Sequence, residues 1–294
     1  SKRKAGRLEV AGSMAGHIGE TTVAESRPEA FTRPTSRKAE AHDAKNNAPA
    51  HLDRRLAAFV EERYDLRHNL LTGQAEFRPK GQDAAAFFPL TARDLNSLCL
   101  AAHEAGIPCW DRDVSRFVAS DRLPDYHPFR DYFDRLQPWD GEDRLDALAR
   151  RVSDRALWVR GFRRWMLAVA AQWMRMGDDH ANSMAPVLVS GRQGLGKSTF
   201  CRNLLPPELS AYYTDSVDVT NTARMEQLLV EMGLINLDEF DRIPVRRHPA
   251  LKNVMQLTDL HVRKAYRRDT LRLPRIASFI ATSNSHELLS DPSG

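Results

Sequence analysis

Polar and apolar positions change rhythm along the 294 residues, and each change predicts a different kind of chain. Over residues 1–50 no apolar period persists: nine Lys or Arg, six Asp or Glu and one aromatic, Phe31, lie among Gly, Ser, Thr, Ala and Pro. Such a segment buries too little apolar surface to offset its ordering entropy, which predicts a disordered, mildly basic arm or linker. From His51 the pattern becomes helical. "RRLAAFVEERY" sets Leu56, Phe59 and Val60 on one face, and "TARDLNSLCLAAHEAG" reads as a helix closed by Gly106. Between them, "NLLTGQAEF" predicts two short strands about a Thr-Gly turn. Helices follow at "DRDVSRFVAS", "HPFRDYFDRL" and "DRLDALARRV", and "RALWVRGFRRWMLAVAAQWMRMG" predicts one long helix ending near Gly177. Residues 51–180 are therefore expected to form a mostly helical domain. Trp158, Trp165 and Trp173, with Phe162, Met166 and Met174, read as its core rather than as a base-stacking platform.

Beyond Gly177 short apolar runs alternate with helical ones. "APVLVS", "LINLDEF" and "IASFIATSN" are candidate strands; "KSTFCRNLL", "NTARMEQLLVEM" and "HPALKNVMQL" are candidate helices. That alternation predicts an α/β domain over residues 181–294, built on a mainly parallel sheet covered on both faces.

The first strand-to-helix junction carries the clearest chemistry. Gly191, Arg192, Gln193, Gly194, Leu195, Gly196, Lys197 and Ser198 satisfy G-x-x-x-x-G-K-[ST], with the strand before and the helix after that this phosphate-binding loop requires. Glycine is needed because successive N–H groups must close on phosphate oxygens, which a Cβ would obstruct. The helix N-terminus adds its dipole. Gly191, Gln193 to Lys197, Ser198 and Thr199 are the candidate ATP-binding residues, with Lys197 on the β- and γ-phosphates and Ser198 on Mg2+. The combination predicts a P-loop NTPase three-layer domain.

A phosphate cradle alone serves a kinase, a GTPase or an ATPase, and the next strand narrows the choice. "LINLDEFD" ends in Asp238 and Glu239, 41 positions after Lys197. Asp238 is the candidate metal ligand beside Ser198, and Glu239 the candidate base that polarises the attacking water. An acidic pair suits hydrolysis better than transfer to a small acceptor. "RIASFIATSN" ends in Asn284, whose amide would reach the γ-phosphate if its strand inserts between the two earlier ones. Asn236, inside the second strand, is a polar residue without an assigned role.

Charge adds a candidate partner. The net charge of +4 is small, but it is concentrated. Residues 261–275, "HVRKAYRRDTLRLPR", hold Arg263, Lys264, Arg267, Arg268, Arg272 and Arg275 against one acid, with Tyr266 among them. Cations interleaved with an aromatic suit a nucleic-acid backbone and base stacking, so Arg263, Lys264, Tyr266, Arg267 and Arg268 are the candidate DNA contacts. The bland alternative is a solvated basic loop. A second group, Arg242, Arg246, Arg247 and His248, is expected to face a neighbouring subunit.

Cys99, Cys109 and Cys201 sit at no metal-ligand or disulfide-framework spacing, and the histidines at 180, 248, 261 and 286 are scattered, so no metal other than Mg2+ is expected. The reading is of a protein in the reducing cytoplasm. The apolar stretch "WMLAVAAQWM" is half the roughly 20 residues needed to cross a bilayer, and neither a membrane segment nor a secretory signal is read.

Together, "SGRQGLGKSTF", "LINLDEFD", "PALKNVMQL", "VRKAYRRD" and "LPRIASFIATSN" with "LLSDPSG" resemble the virulence-associated E (VapE/VirE-like) family of P-loop proteins. The resemblance covers about residues 125–294. That family is similar to superfamily 3 and primase-associated helicases of phages, plasmids and integrated mobile elements. The resemblance implies an ATP-hydrolysing ring, commonly a hexamer, that moves on single-stranded or forked DNA, with a primase as a possible partner. It places the segment from Arg263 to Arg268 where such helicases carry a DNA-contacting hairpin. It also implies an arginine pair after "DPSG", so the sequence is expected to be a piece of a longer chain. Two other classes stay open. One is an ATP-dependent assembly switch or defence regulator without unwinding activity; the other is a non-enzymatic DNA-binding protein with a degenerate nucleotide site.

Overall fold

The computed structural model describes residues 49–82, 86–176, 181–262 and 270–286. All but the last two residues of the arm expected over 1–50 lie outside this set, and those two open the first helix, α1 (Pro49–Arg63). Its apolar face carries the predicted Leu56, Phe59 and Val60, all buried.

Strand β1 (Tyr64–Asn69) follows α1 directly and pairs antiparallel with β2 (Gln74–Pro79), Leu66 standing opposite Phe77. Two short strands, β3 (Phe88–Pro89) and β4 (Asp125–Tyr126), complete a sheet in the order β3-β2-β1-β4. Helices α2 (Ala92–Glu104) and α3 (Asp111–Val118) lie between β3 and β4. At the start of α2 Thr91 and Asp94 cap each other reciprocally: the Thr91 N–H donates to Asp94 Oδ2 at 2.8 Å, and the Asp94 N–H to Thr91 Oγ1 at 3.4 Å. Leu56, Val60, Leu98, Ala102, Val114 and Phe117 form the core of this unit. A four-stranded sheet thus stands among the helices of this unit. Strands β3 and β4 have two residues each, too short to give a period.

Helices α4 (Pro128–Asp134), α5 (Arg144–Arg150) and α6 (Ala156–Met174) come next. They share their core with the second sheet: Phe129, Phe162, Trp165, Val169 and Trp173 pack with Leu188, Leu234 and Ile280. Of the expected core residues, Phe162, Trp165 and Trp173 are buried here, Trp158 and Met166 pack against them partly buried, and Met174 is half-buried. Trp173 Nε1 donates to the Gly233 carbonyl at 3.0 Å, and Gln172 Nε2 to that of Arg275 at 2.6 Å, so α6 is bonded as well as packed to the sheet.

The second sheet contains β5 (Val187–Val189), β6 (Tyr213–Thr214), β7 (Leu234–Leu237) and β10 (Ser278–Ser283) in the order β5-β10-β7-β6, all parallel. β7 and β10 are buried along their whole length, including the polar Asn236, Ser278, Thr282 and Ser283. α7 (Lys197–Arg202) follows β5, α8 (Thr222–Glu231) precedes β7, and α9 (His248–Gln256) follows it. Phe200, Cys201 and Leu205 cover one face of the sheet with α6; Met225, Leu229 and Leu251 cover the other. The chain is an α/β fold with a parallel sheet. β10, last in sequence, inserts between β5 and β7. Before it, β8 (Asp259–Val262) and β9 (Leu271–Pro274) pair antiparallel, with Val262 opposite Leu271.

Candidate functional site

In a parallel sheet the strands end on one edge, and three adjacent ends build this site. Thr282 pairs with Leu188 and Ser283 with Val189, while Ala281 pairs with Leu237. The turn after β5, the acids after β7 and the end of β10 therefore meet. Residues distant in sequence become neighbours through register alone.

The turn after β5 is open and its glycines are used. Gly194 and Gly196 have φ of +77° and +80°, left-handed values that glycine adopts at no steric cost. Gly196 caps α7, whose first residue is Lys197 and whose Phe200 N–H donates to the Gly196 carbonyl at 2.8 Å. Residues 191–196 are exposed, and the Arg192 N–H donates to Ser190 Oγ at 3.1 Å.

The Lys197 ammonium donates to the Ser190 carbonyl at 3.1 Å and to Asn284 Oδ1 at 3.0 Å, tying the turn to the end of β10. Ser198 Oγ donates to Asp238 Oδ1 at 3.0 Å, and Thr282 Oγ1 donates to the same carboxylate oxygen. Lys197, Ser198, Asp238 and Asn284 are thus brought together. Gln193, Leu195 and Thr199 lie on the turn and the start of α7, with no side-chain hydrogen bond recorded to this group. A hydroxyl from Ser198 and another from Thr282 beside a carboxylate make an all-oxygen set, the kind a hard divalent cation takes.

Glu239 follows in a left-handed conformation, φ +50°, uncommon for a residue with a side chain. Its N–H donates to Thr282 Oγ1 at 3.2 Å, and its carboxylate takes a 2.6 Å ion pair from Arg242. Arg242 makes that ion pair within its own chain while staying exposed, and the His248 ring stacks on Phe240 at 5.0 Å.

Sequence reading missed three members of this group. Asp241 Oδ1 accepts from Ser283 Oγ at 2.8 Å and from the Asn284 N–H at 3.0 Å, and these donors hold its carboxyl below the usual carboxylate range. Asp241 therefore fixes the backbone that carries Asn284. Thr282 touches both Asp238 and Glu239. The repeat of acids in "DEFD" and of hydroxyls in "ATSNS" was the available signal, but only the register shows that they face each other. Asn236 lies buried in β7 with no well-formed hydrogen bond on its amide. The nearby Tyr213 phenol is pushed up to about 12 by burial, partly offset by Asn236. Cys201 is a buried thiol, also pushed up to about 12 by burial.

The basic cluster divides. Arg263, Lys264, Tyr266, Arg267 and Arg268 lie outside the described residues, between β8 and β9. Arg272 is exposed on β9 and pairs with Asp259 at 3.1 Å. Arg275, read as part of that surface, is fully buried. Its guanidinium donates to the carbonyls of Ala277 at 2.8 Å, Asn182 at 2.9 Å and Met255, and it locks β10 to α9 and residue 182. Burial pushes Arg275 down to about 10.

Among the described residues no helix is long and apolar enough to cross a membrane. No curated protein matches the chain. Among solved structures, the apo structure of the NrS-1 C terminal region (305-718) is similar at 11% identity and a TM-score of 0.47, over 82% of this chain and 58% of that one. An A form of the same region matches at 13% identity and a TM-score of 0.45, over 80% and 56%. The chain thus spans little more than half the length of these structures. The profile of the virulence-associated protein E-like domain matches residues 133–294, over half of the chain, and this protein belongs to that family.

Proposed function

We propose that this protein is an ATP-hydrolysing motor on DNA, a helicase or helicase-like replication protein of a phage, plasmid or integrated mobile element, with a P-loop nucleotide site. One observation carries the reading. Lys197, Ser198, Asp238 and Asn284 converge, within 3.0 Å hydrogen bonds, where a glycine turn opens at the edge of a parallel sheet. Ligands bind at such edges in open α/β sheets.

In this reading the N–H groups of residues 191–197 wrap the triphosphate, and the Lys197 ammonium leaves the Ser190 carbonyl for the β- and γ-oxygens. Ser198 and Asp238 fit a magnesium ion by their chemistry, two hard oxygen donors already in contact. When bound, Mg2+ neutralises the charge that builds on the transferred phosphoryl group. Glu239 accepts a proton from the attacking water, which requires its carboxylate to leave Arg242. Asn284, freed of Lys197, orients that water or the γ-phosphate. The five candidate DNA contacts fall in sequence between β8 and β9, which pair antiparallel. A ring of subunits, with an arginine from a neighbour reaching the nucleotide, completes the proposal.

The alternative is an ATP-driven assembly switch, and ATP turnover with and without single-stranded DNA separates the two. The motor predicts DNA-stimulated turnover, with stimulation that falls as salt rises because phosphate contacts release counterions. Turnover indifferent to DNA contradicts the motor and leaves the switch.

A further inference from the structure

In the unit outside the family-matched residues, Cys99, His103 and Cys109 place their two sulfurs and an imidazole nitrogen within 4.8 Å of one another. We propose that these three side chains form a binding site for zinc or a similar thiophilic divalent cation. Cys99 and His103 are four residues apart on α2, so they project from the same helix face at its last turn. Cys109 arrives from the other side because Gly106, at φ +75°, reverses the chain after the helix. The turn is fixed by the Ile107 N–H on the Ala102 carbonyl and the Cys109 N–H on the Ile107 carbonyl, at 2.9 and 2.8 Å.

Each contact in the cluster is one that ligation would replace. Cys99 Sγ lies 3.6 Å from the Cys109 carbonyl, and His103 Nε2 touches the same oxygen. Zinc bonds of about 2.3 Å to sulfur and about 2.0 Å to nitrogen set tetrahedral ligands about 3.5–3.8 Å apart. Closing from the present spacing takes side-chain rotations of about an ångström, not a change of fold. Both sulfurs are buried and His103 is exposed, so the fourth position opens to water. On binding, the two thiols release their protons to solvent.

The ion would pin the end of α2 to the segment leading into α3, a staple for a unit whose core is small. Its ligands were legible only in part: two cysteines ten residues apart match no common motif, and the histidine between them completes the set.

Cobalt titration of the reduced, chelator-treated protein tests this. One equivalent of Co2+ should give the thiolate-to-metal charge-transfer and strong visible bands of a tetrahedral sulfur site, bleached by Zn2+, and Zn2+ should raise the thermal midpoint. His103→Ala, at an exposed position, should keep its fold and bind at least about tenfold more weakly, since loss of even a supporting partner costs that much. Cys109→Ser, left with the Cys99 thiolate alone, should show a charge-transfer band about half as intense. Wild-type protein without that band, equal affinity in His103→Ala, or a Cys99–Cys109 disulfide indifferent to Zn2+ would each overturn the site.

Discussion

Gly233, just before β7, shows what one hydrogen atom in place of a methyl secures. A Cβ there would stand 2.2 Å from Phe129 Cζ and 3.2 Å from Trp173 Nε1. Phe129 cannot swing aside, because it is fully buried and stacked on Trp173 at 4.6 Å between ring centres. Gly233→Ala is expected to cost about 1–3 kcal/mol through overpacking. Denaturant unfolding checks this, and a midpoint equal to wild type would show that the ring pair yields. Because β7 also carries Asp238, the same change should disturb the candidate site more than its distance suggests. Glu239, at φ +50°, is a strained backbone position, and non-glycine residues in this conformation cluster at functional sites.

At the scale of elements, α4 is held by a titrating cap. His127 Nδ1 accepts from the Arg130 N–H at 3.3 Å, and burial together with Arg130 pushes the imidazole down to about 4. Unfolded, it takes its proton near pH 6.5. Between those values the unfolded chain binds more protons, so stability is full above about pH 6.5 and falls as pH drops towards 4. Denaturant midpoints between pH 7 and pH 4 should show that slope, and His127→Asn, which can still cap, should flatten it. Parallel slopes would assign the effect elsewhere.

Long periodic elements were legible in the sequence, and short ones were not. α1, α2 and α6 carry enough turns to show a face, and β7 and β10 each hold a short run of large apolar residues. The turn in "NLLTGQAEF" was placed correctly, but β1 begins at Tyr64, where helix passes into strand without glycine or proline. β8 and β9 are defined by each other, through pairs such as Leu260 with Leu273, not by local pattern. In the site, Lys197, Ser198, Asp238 and Glu239 follow from spacing. Thr282, Asp241 and the Arg242 ion pair depend on strand register, which spacing does not contain. Arg275 misled because an arginine in a basic run carries no sign of being buried; three backbone carbonyls decide it.

For the whole molecule, one buried polar group joins the two sheets. Asn69, at the end of β1, donates to Glu76 Oε1 at 2.7 Å and contacts the Tyr212 hydroxyl at 2.8 Å, next to β6. Arg67 holds Glu76 through a 2.6 Å ion pair and lies over the Tyr126 ring at 3.4 Å. Asn69→Ala leaves Glu76 and Tyr212 each short of a partner, at an expected cost of about 1–3 kcal/mol. If the network couples the units, unfolding of the variant should broaden or split, whereas a single sharp transition at the wild-type midpoint would show the units joined by apolar packing alone.

The central claim is that the turn at Lys197 and the carboxylates of Asp238 and Glu239 act on one triphosphate. ATP binding and ATP turnover measured side by side in wild type, Lys197→Ala and Glu239→Gln test it most directly. The account predicts a fold left intact in both variants, with turnover abolished in Lys197→Ala. It predicts that Glu239→Gln still binds ATP while turnover falls about 10²–10⁴-fold, the range for loss of a general base. Ordinary turnover in Lys197→Ala, or loss of binding rather than of hydrolysis in Glu239→Gln, would contradict it.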